Sequence, residues 1–255
     1  MSYRITKILK SIFPELKSFS KRVVKEENKL TLSMIVKNEA DRYLREVLEH
    51  AIKYVDEVII IDDASTDNSV QLCKEVLKNT SFKIIQNKKS LFHKEYKLRK
   101  LQWKETLKMN PDWILFLDAD EIFENKILDN IKSIINNKNI DVYKFRLYDM
   151  WNETHYREDN LWCAHYKYKT FLIRYQPYFK YKFLKQDQHC GRHPKNLHLL
   201  PFENSDIKLK HLGWSNERDR ILKYNRYINL DLDGRYGNAE QYKSILDTNP
   251  NLLKF

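Results

Sequence analysis

Between residues 30 and 118 the chain alternates regularly between short apolar runs and longer amphipathic ones. LTLSMIVK, EVIIID, FKIIQ and DWILFLD read as strands. The intervening EADRYLREVLEHAIKYV, SVQLCKEVLKN and KEYKLRKLQWKETLKM carry apolar residues at helical spacing. Strands joined through helices form βαβ units and therefore a parallel sheet, since a parallel neighbour needs a long crossover. Right-handed crossovers place the helices on both faces. DASTDNS supplies a turn and helix caps, and Asn110-Pro111 closes the third helix, because proline cannot continue it. The expected fold class is α/β, with a mostly parallel central sheet flanked by helices.

The pattern changes after Asn139. DVYKFRLYDMW and YKYKTFLIRY are aromatic and β-rich, and are expected to extend the sheet in mixed orientation. DQHCGRHPKNLHLLPFENSD reads as loop and IKLKHLGW as a short strand. SNERDRILKYNRYINLDL reads as a helix capped by Ser215 or Asn216, with Ile221, Tyr224, Ile228 and Leu232 on one face. At the other end, Ile5, Ile8, Leu9, Ile12, Leu16 and Phe19 recur at helical spacing among lysines, and Pro14 interrupts them. Residues 1–29 are thus expected to be a basic amphipathic helical extension, docked on the domain or in contact with a membrane or partner.

Composition removes several function classes. With 42% hydrophobic and 32% charged residues the chain has enough apolar material for a core. Only four glycines are present, so a glycine-rich phosphate loop is excluded. The net charge of +11 favours anionic partners, but no nucleic-acid-binding module is legible and none is expected to bind. Cys73, Cys163 and Cys190 have no CxxC spacing, which argues against a zinc site and for free thiols in a reducing cytosol. No signal peptide is visible, and no apolar run approaches the ~18 residues of a membrane span.

Three strands finish in polar residues at one sheet edge: Lys37-Asn38-Glu39, Asp62-Asp63 and Asp118-Ala119-Asp120. In an open parallel sheet, ligands lie beyond the C-terminal strand ends, near a switch in strand order. Residues two apart in a strand point the same way, so Asp118 and Asp120 are expected to converge and to repel unless a cation intervenes. Hard oxygen ligands of this kind suit Mg²⁺ or Mn²⁺.

LSMIVKNEADRYLREVL, VDEVIIIDDASTDNSVQLCKE and DWILFLDADE resemble the family 2 glycosyltransferases of the GT-A fold, over roughly residues 30–135 with an echo near KHLGW. The branch with KNE and DADE, which includes bacterial cell-envelope glucosyltransferases and peptide S-glycosyltransferases, is the most similar. The resemblance implies a GT-A, Rossmann-like domain with a nucleotide-sugar-binding half at 30–139 and an acceptor-binding half at 140–255. It implies transfer of a sugar from a nucleotide diphosphate donor, often a UDP-sugar, with Mn²⁺ or Mg²⁺ and inversion at the anomeric carbon. Asp63 would bind the base, with Asp62 as the fallback, and Asn38 and Glu39 would lie near the nucleoside. Asp118 would face the ribose or the metal, Asp120 would ligate the metal, and His211 would complete the metal site. Arg99, with Lys100 beside it, would approach the diphosphate. Trp214 would line the sugar or acceptor pocket, or else be buried.

An inverting transfer also needs a base for the acceptor's proton. Asp187 and His193 are the leading candidates, with His189, Glu153 and Glu158 behind them; the sequence departs here from the family's more familiar ED pattern. A glycan, lipid-linked or peptide acceptor is expected. So is a cytoplasmic location, peripheral to the inner face of the plasma membrane through residues 1–29. The competing readings are a nucleotidyltransferase on a related fold, disfavoured by the missing glycine loop, and an inactive sugar-nucleotide-binding protein.

Overall fold

The computed structural model describes residues 21–187, 190–231 and 237–255. Residues 1–20, with the periodic apolar positions of the extension, lie outside them, as does Leu232. From Arg22 to Lys29 the chain is not helical. Its polar groups turn to the domain instead: Arg22 pairs with Asp141 at 2.8 Å, and the Val23 amide donates to Gln176 Oε1 at 2.7 Å.

The expected alternation is present as β1 (Leu30–Val36), α1 (Leu44–Ala51), β2 (Glu57–Asp62), α2 (Ser69–Leu77), β3 (Ser81–Gln86), α3 (Glu95–Leu107) and β4 (Trp113–Phe116). β5 (Glu121–Phe123), α4 (Lys126–Asn136), β6 (Val142–Asp149), β7 (His155–Arg157), β8 (Tyr168–Arg174) and β9 (Phe202–His211) follow. The chain closes with α5 (Glu217–Leu230), α6 (Ala239–Ser244) and β10 (Leu252–Lys254). Eight strands form one sheet in the order β3-β2-β1-β4-β8-β6-β9-β5, and β10 pairs with β7 in a small second one.

β1 to β4 are mutually parallel, while β8 runs antiparallel to both β4 and β6. The sheet is therefore parallel in its first half and mixed in its second. β2 is buried along its whole length, as its unbroken apolar run requires. Leu32, Met34, Val58 and Ile60 pack with Leu44, Val47, Leu48 and Leu72 of α1 and α2. Ile59 and Ile61 face the other way, onto Leu98 of α3. The chain leaves edge strand β3, crosses on α3 and lands on β4, on the far side of β1. The strand order thus reverses between β1 and β4, and that is where a cleft opens.

Three features were not legible in the sequence. β9 begins at Phe202, so FENSD belongs to a strand. It pairs with β6 from Val142↔Phe202, yet its other edge stays open until Phe123↔Leu209. An open-edged strand keeps its polar side chains in water, so it carries no apolar alternation. The β7–β10 ribbon and helix α6 were likewise unexpected. Third, α5 packs Tyr224 and Ile228 of the expected face against the Trp214 cluster, but Ile221 is 42% exposed, whereas Asp219 and Lys223 are buried.

Candidate active site

β4 ends at Phe116, and the chain turns at once, with the Glu121 amide donating to the Asp118 carbonyl at 3.1 Å. Strand alternation therefore does not reach Asp118 and Asp120; their carboxylates line one cavity but pair with different cations. Asp118 meets Arg192 at 3.1 Å and Arg99 at 3.6 Å. Asp120 meets Lys223 at 3.3 Å, His211 at 3.4 Å and Arg42 at 3.9 Å. Both carboxylates face a cavity of about 510 Å³, whose lining also includes Lys37, Glu39, Arg99, Arg226 and Tyr227. A larger depression of about 1000 Å³ lies on the α1 side and shares only Arg42 with it.

Charge pairing decides the protonation of this cleft. Burial alone would raise both carboxyls, but Arg192 and Arg99 hold Asp118 below the usual carboxylate range. Lys223, His211 and Arg42 hold Asp120 well below it. Burial and Lys223 press His211 toward the neutral form; Asp120 and Asp149 outweigh them and lift the ring to about 9. Asp149, at the end of β6, accepts from His211 Nδ1 at 2.7 Å and so orients the imidazole. The strands set these positions directly, since Glu121 pairs with His211 across β5 and β9, and Asp149 pairs with His211 across β6 and β9.

Glu39, just past β1, takes both Arg42 guanidinium bonds at 2.8–2.9 Å. Burial nevertheless pushes its carboxyl up to about 7, against the pull of Arg42. Arg42 also donates to Asp219 at 3.0 Å, which ties α5 to the end of β1. Asn38 sits at φ +53°, a left-handed conformation asparagine tolerates, and its Oδ1 accepts from the Thr66 amide at 2.8 Å.

Asp62 and Asp63 are buried and line no part of the cavity. Asp63 accepts from Asn87 at 2.8 Å, Ser90 at 2.6 Å and the Leu91 and Phe92 amides at 2.8 and 3.1 Å. Asp63, expected beside the base, holds the 87–92 loop over the edge of β2. The Asp62 carboxylate accepts from the Ser65 amide at 3.3 Å. Lys100 is exposed, while Arg99 turns inward. Trp214 is buried beneath Lys223, whose ammonium lies 4.2 Å from the ring centroid.

Neither candidate base lines the cavity. Asp187 is exposed, and its backbone carbonyl accepts from the Glu95 amide at 2.9 Å. His193 is largely buried, which depresses its ring to about 4. His189 lies outside the described residues. Glu158 bonds His165 at 2.6 Å, and Glu153 lines the α1-side depression. Arg192 nonetheless reaches the cleft, where it clamps both Asp118 and the buried Glu121.

Arg42, Asp149, Arg192, Asp219 and Lys223 were missed from sequence. The available signal was Asp219, Lys223 and Tyr227 at i, i+4 and i+8, a single stripe of α5.

The carboxylate and imidazole of Asp120 and His211 are donors that Mn²⁺ accepts in type. Yet Lys223 Nζ lies 3.3 Å from Asp120 Oδ2 and 3.3 Å from His211 Nε2, so an ion bridging the pair meets a fixed positive charge. Among the described residues no three His, Cys, Asp or Glu side chains form a metal-holding group. As arranged, the residues do not fit a divalent ion.

Comparison with known proteins agrees with this architecture. The chain is 35% identical over 116 residues to an uncharacterized glycosyltransferase of Rickettsia felis, covering 45% of this chain and 37% of that one. It is 22% identical over 227 residues to an uncharacterized protein of Mycobacterium tuberculosis, covering 84% and 54%. The chain thus spans about half or less of these curated relatives. The crystal structure of S. aureus TarS superposes with a TM-score of 0.52 at 18% identity, over 86% of this chain and 42% of that one, which shows a shared fold. The model of glycosyl transferase family 2 matches residues 31–196, and it is to this family that the chain belongs.

Proposed function

We propose that this chain transfers a sugar, with inversion, from a nucleoside-diphosphate donor to a glycan, lipid-linked or peptide acceptor, with uridine as the favoured base. Family membership supports the reaction class. The observation that carries the reading is the cleft at the β1/β4 switch point, where Asp118 and Asp120 are ringed by Arg42, Arg99, His211 and Lys223. Fixed cations around an enclosed site suit a diphosphate, whose charge grows as the sugar departs.

Arg99 and Lys223 bind phosphate oxygens in this reading, and Asn38 and Glu39 border the nucleoside. Asp63 acts through the 87–92 loop it holds, which forms the wall beside the base. The residues 30–139 serve the donor and 140–255 the acceptor. Asp187, exposed, is the proposed base, and His193, with its proton affinity depressed by burial, is next to Arg192 in the chain.

Residues 1–29 rest against an anionic membrane surface in this reading; deleting them is expected to abolish sedimentation with anionic vesicles. No helix among the described residues is long and apolar enough to cross a membrane.

A thermal-shift screen of UDP, GDP, ADP and their sugars, each with Mn²⁺ and with EDTA, tests the donor class, since a ligand of the native state raises its stability. The expected result is a rise with UDP and a UDP-sugar. No shift with any nucleoside diphosphate would sink the reading.

A further inference from the structure

Lys223 is the one lysine that enters the cleft from α5, and it is 9% exposed. A buried ammonium is costly unless partners surround it. Here Asp120 Oδ2 and His211 Nε2 each stand 3.3 Å from Nζ, and the Trp214 ring lies beneath it at 4.2 Å. The ring face adds a favourable cation–π contact.

The backbone makes room for this arrangement. A Cβ at position 213 would stand 2.1 Å from Lys223 Nζ, 2.2 Å from Asp120 Oδ2 and 3.1 Å from His211 Nε2. The side-chain-free Gly213 is therefore what lets the three groups meet. The same Lys223 Nζ occupies the position between a carboxylate and an imidazole where a divalent ion would otherwise bridge them.

We propose that Lys223 is the resident cation of this cleft and binds the diphosphate of the donor directly, in place of a divalent metal ion. The inference rests on the nucleoside-diphosphate reading above and deepens it. Asp120 then serves as the positioning residue that fixes the ammonium by a carboxylate contact, while His211, held by Asp149, flanks it as a neighbouring ring. Arg99 is the second cation, lying across the same cavity on Asp118. Two cations of fixed position match the two phosphates of the ligand, and neither needs to be recruited from solution.

Calorimetric titration with UDP, in EDTA and again in Mn²⁺, tests this. Wild type is expected to bind UDP with the same Kd under both conditions. Lys223→Gln is expected to bind roughly tenfold to hundredfold more weakly in EDTA, the loss of one charge-assisted contact. Melting of the ligand-free variant checks that it folds, and Lys223→Met provides a second variant of similar length. Paramagnetic resonance of added Mn²⁺ gives an independent readout. Wild type should leave the ion free, whereas Lys223→Gln should bind it, because Asp120 and His211 are released to coordinate.

Wild type that binds UDP only with one Mn²⁺ per chain overturns the inference and leaves the nucleotide reading standing. So does Lys223→Gln or Lys223→Met that binds UDP as tightly as wild type in EDTA. Absence of UDP binding under either condition overturns both.

Discussion

Asp63 takes hydrogen bonds from Asn87, Ser90 and the amides of Leu91 and Phe92, all within thirty residues of itself and none of them charged. Asp120, on the same sheet edge, faces Arg42, His211 and Lys223, drawn from three distant parts of the chain and charged or chargeable. Neutral local donors saturate the first carboxylate and hide it. Charged distant partners hold the second in the ionised form while leaving it against a cavity. Acidity at a strand end therefore does not by itself mark chemistry; the kind and origin of the partners separates a carboxylate that builds a loop from one that lines a site.

The contrast predicts opposite responses to mutation. Asp63→Ala leaves buried donors without acceptors and should cost about 3 kcal/mol in urea unfolding. Asp120→Asn keeps the shape but removes the charge that fixes Lys223. Sugar transfer should fall about a hundredfold, with a smaller loss of stability than Asp63→Ala shows. Equal stability losses in the two variants would break the distinction.

Arg192→Met lies between the two cases. It strands Glu121, which is 2% exposed and whose remaining bond comes from the Asp118 amide at 2.8 Å. A destabilisation of about 2 kcal/mol is expected, together with weaker donor binding as Asp118 loses its partner. Stability loss without any change in donor binding would place Arg192 with Asp63.

The smallest effect concerns pH. The His193 ring takes a proton only near pH 4 in the folded chain, against 6.5 for a free histidine. The unfolded chain therefore holds more protons in that window, and stability falls as pH drops from 6.5 to 4, by about 1–2 kcal/mol. His193→Gln should flatten that limb of the stability profile and leave the region above pH 7 unchanged.

Much of this molecule was legible in its residues. The βα alternation gave the parallel half of the sheet, because strand and helix periods differ plainly in LTLSMIVK and LREVLEHA. Asp118 and Asp120 were legible through their place just past a strand, and His211 through the family resemblance. Arg42, Asp149, Arg192, Asp219 and Lys223 were not, since each reaches the cleft through long-range packing. For α5 the usual rule held at Tyr224 and Ile228 but not throughout: the cleft it covers is charged, so Asp219 and Lys223 also face inward and Ile221 faces water. Asp118 and Asp120 share a cavity but pair with different cations for a local reason, the turn that follows Phe116. The hold of Asp63 on the Asn87–Phe92 loop was not legible, because nothing in IDDAST reveals a loop that folds back onto it.

The short pairing of β5 with β9 has a kinetic consequence. Glu121 and His211 are ninety residues apart in sequence and become neighbours only when edge strand β5 meets β9. A loop of that length closes slowly, after the local βα units have formed. A half-folded chain can hold the β1–β4 sheet and the Asp63 loop, yet it has no Asp120–His211–Lys223 cluster. Appearance of the nucleotide-binding cleft during refolding should therefore lag the formation of helix and sheet, which makes ligand binding a reporter of the last step in folding rather than the first.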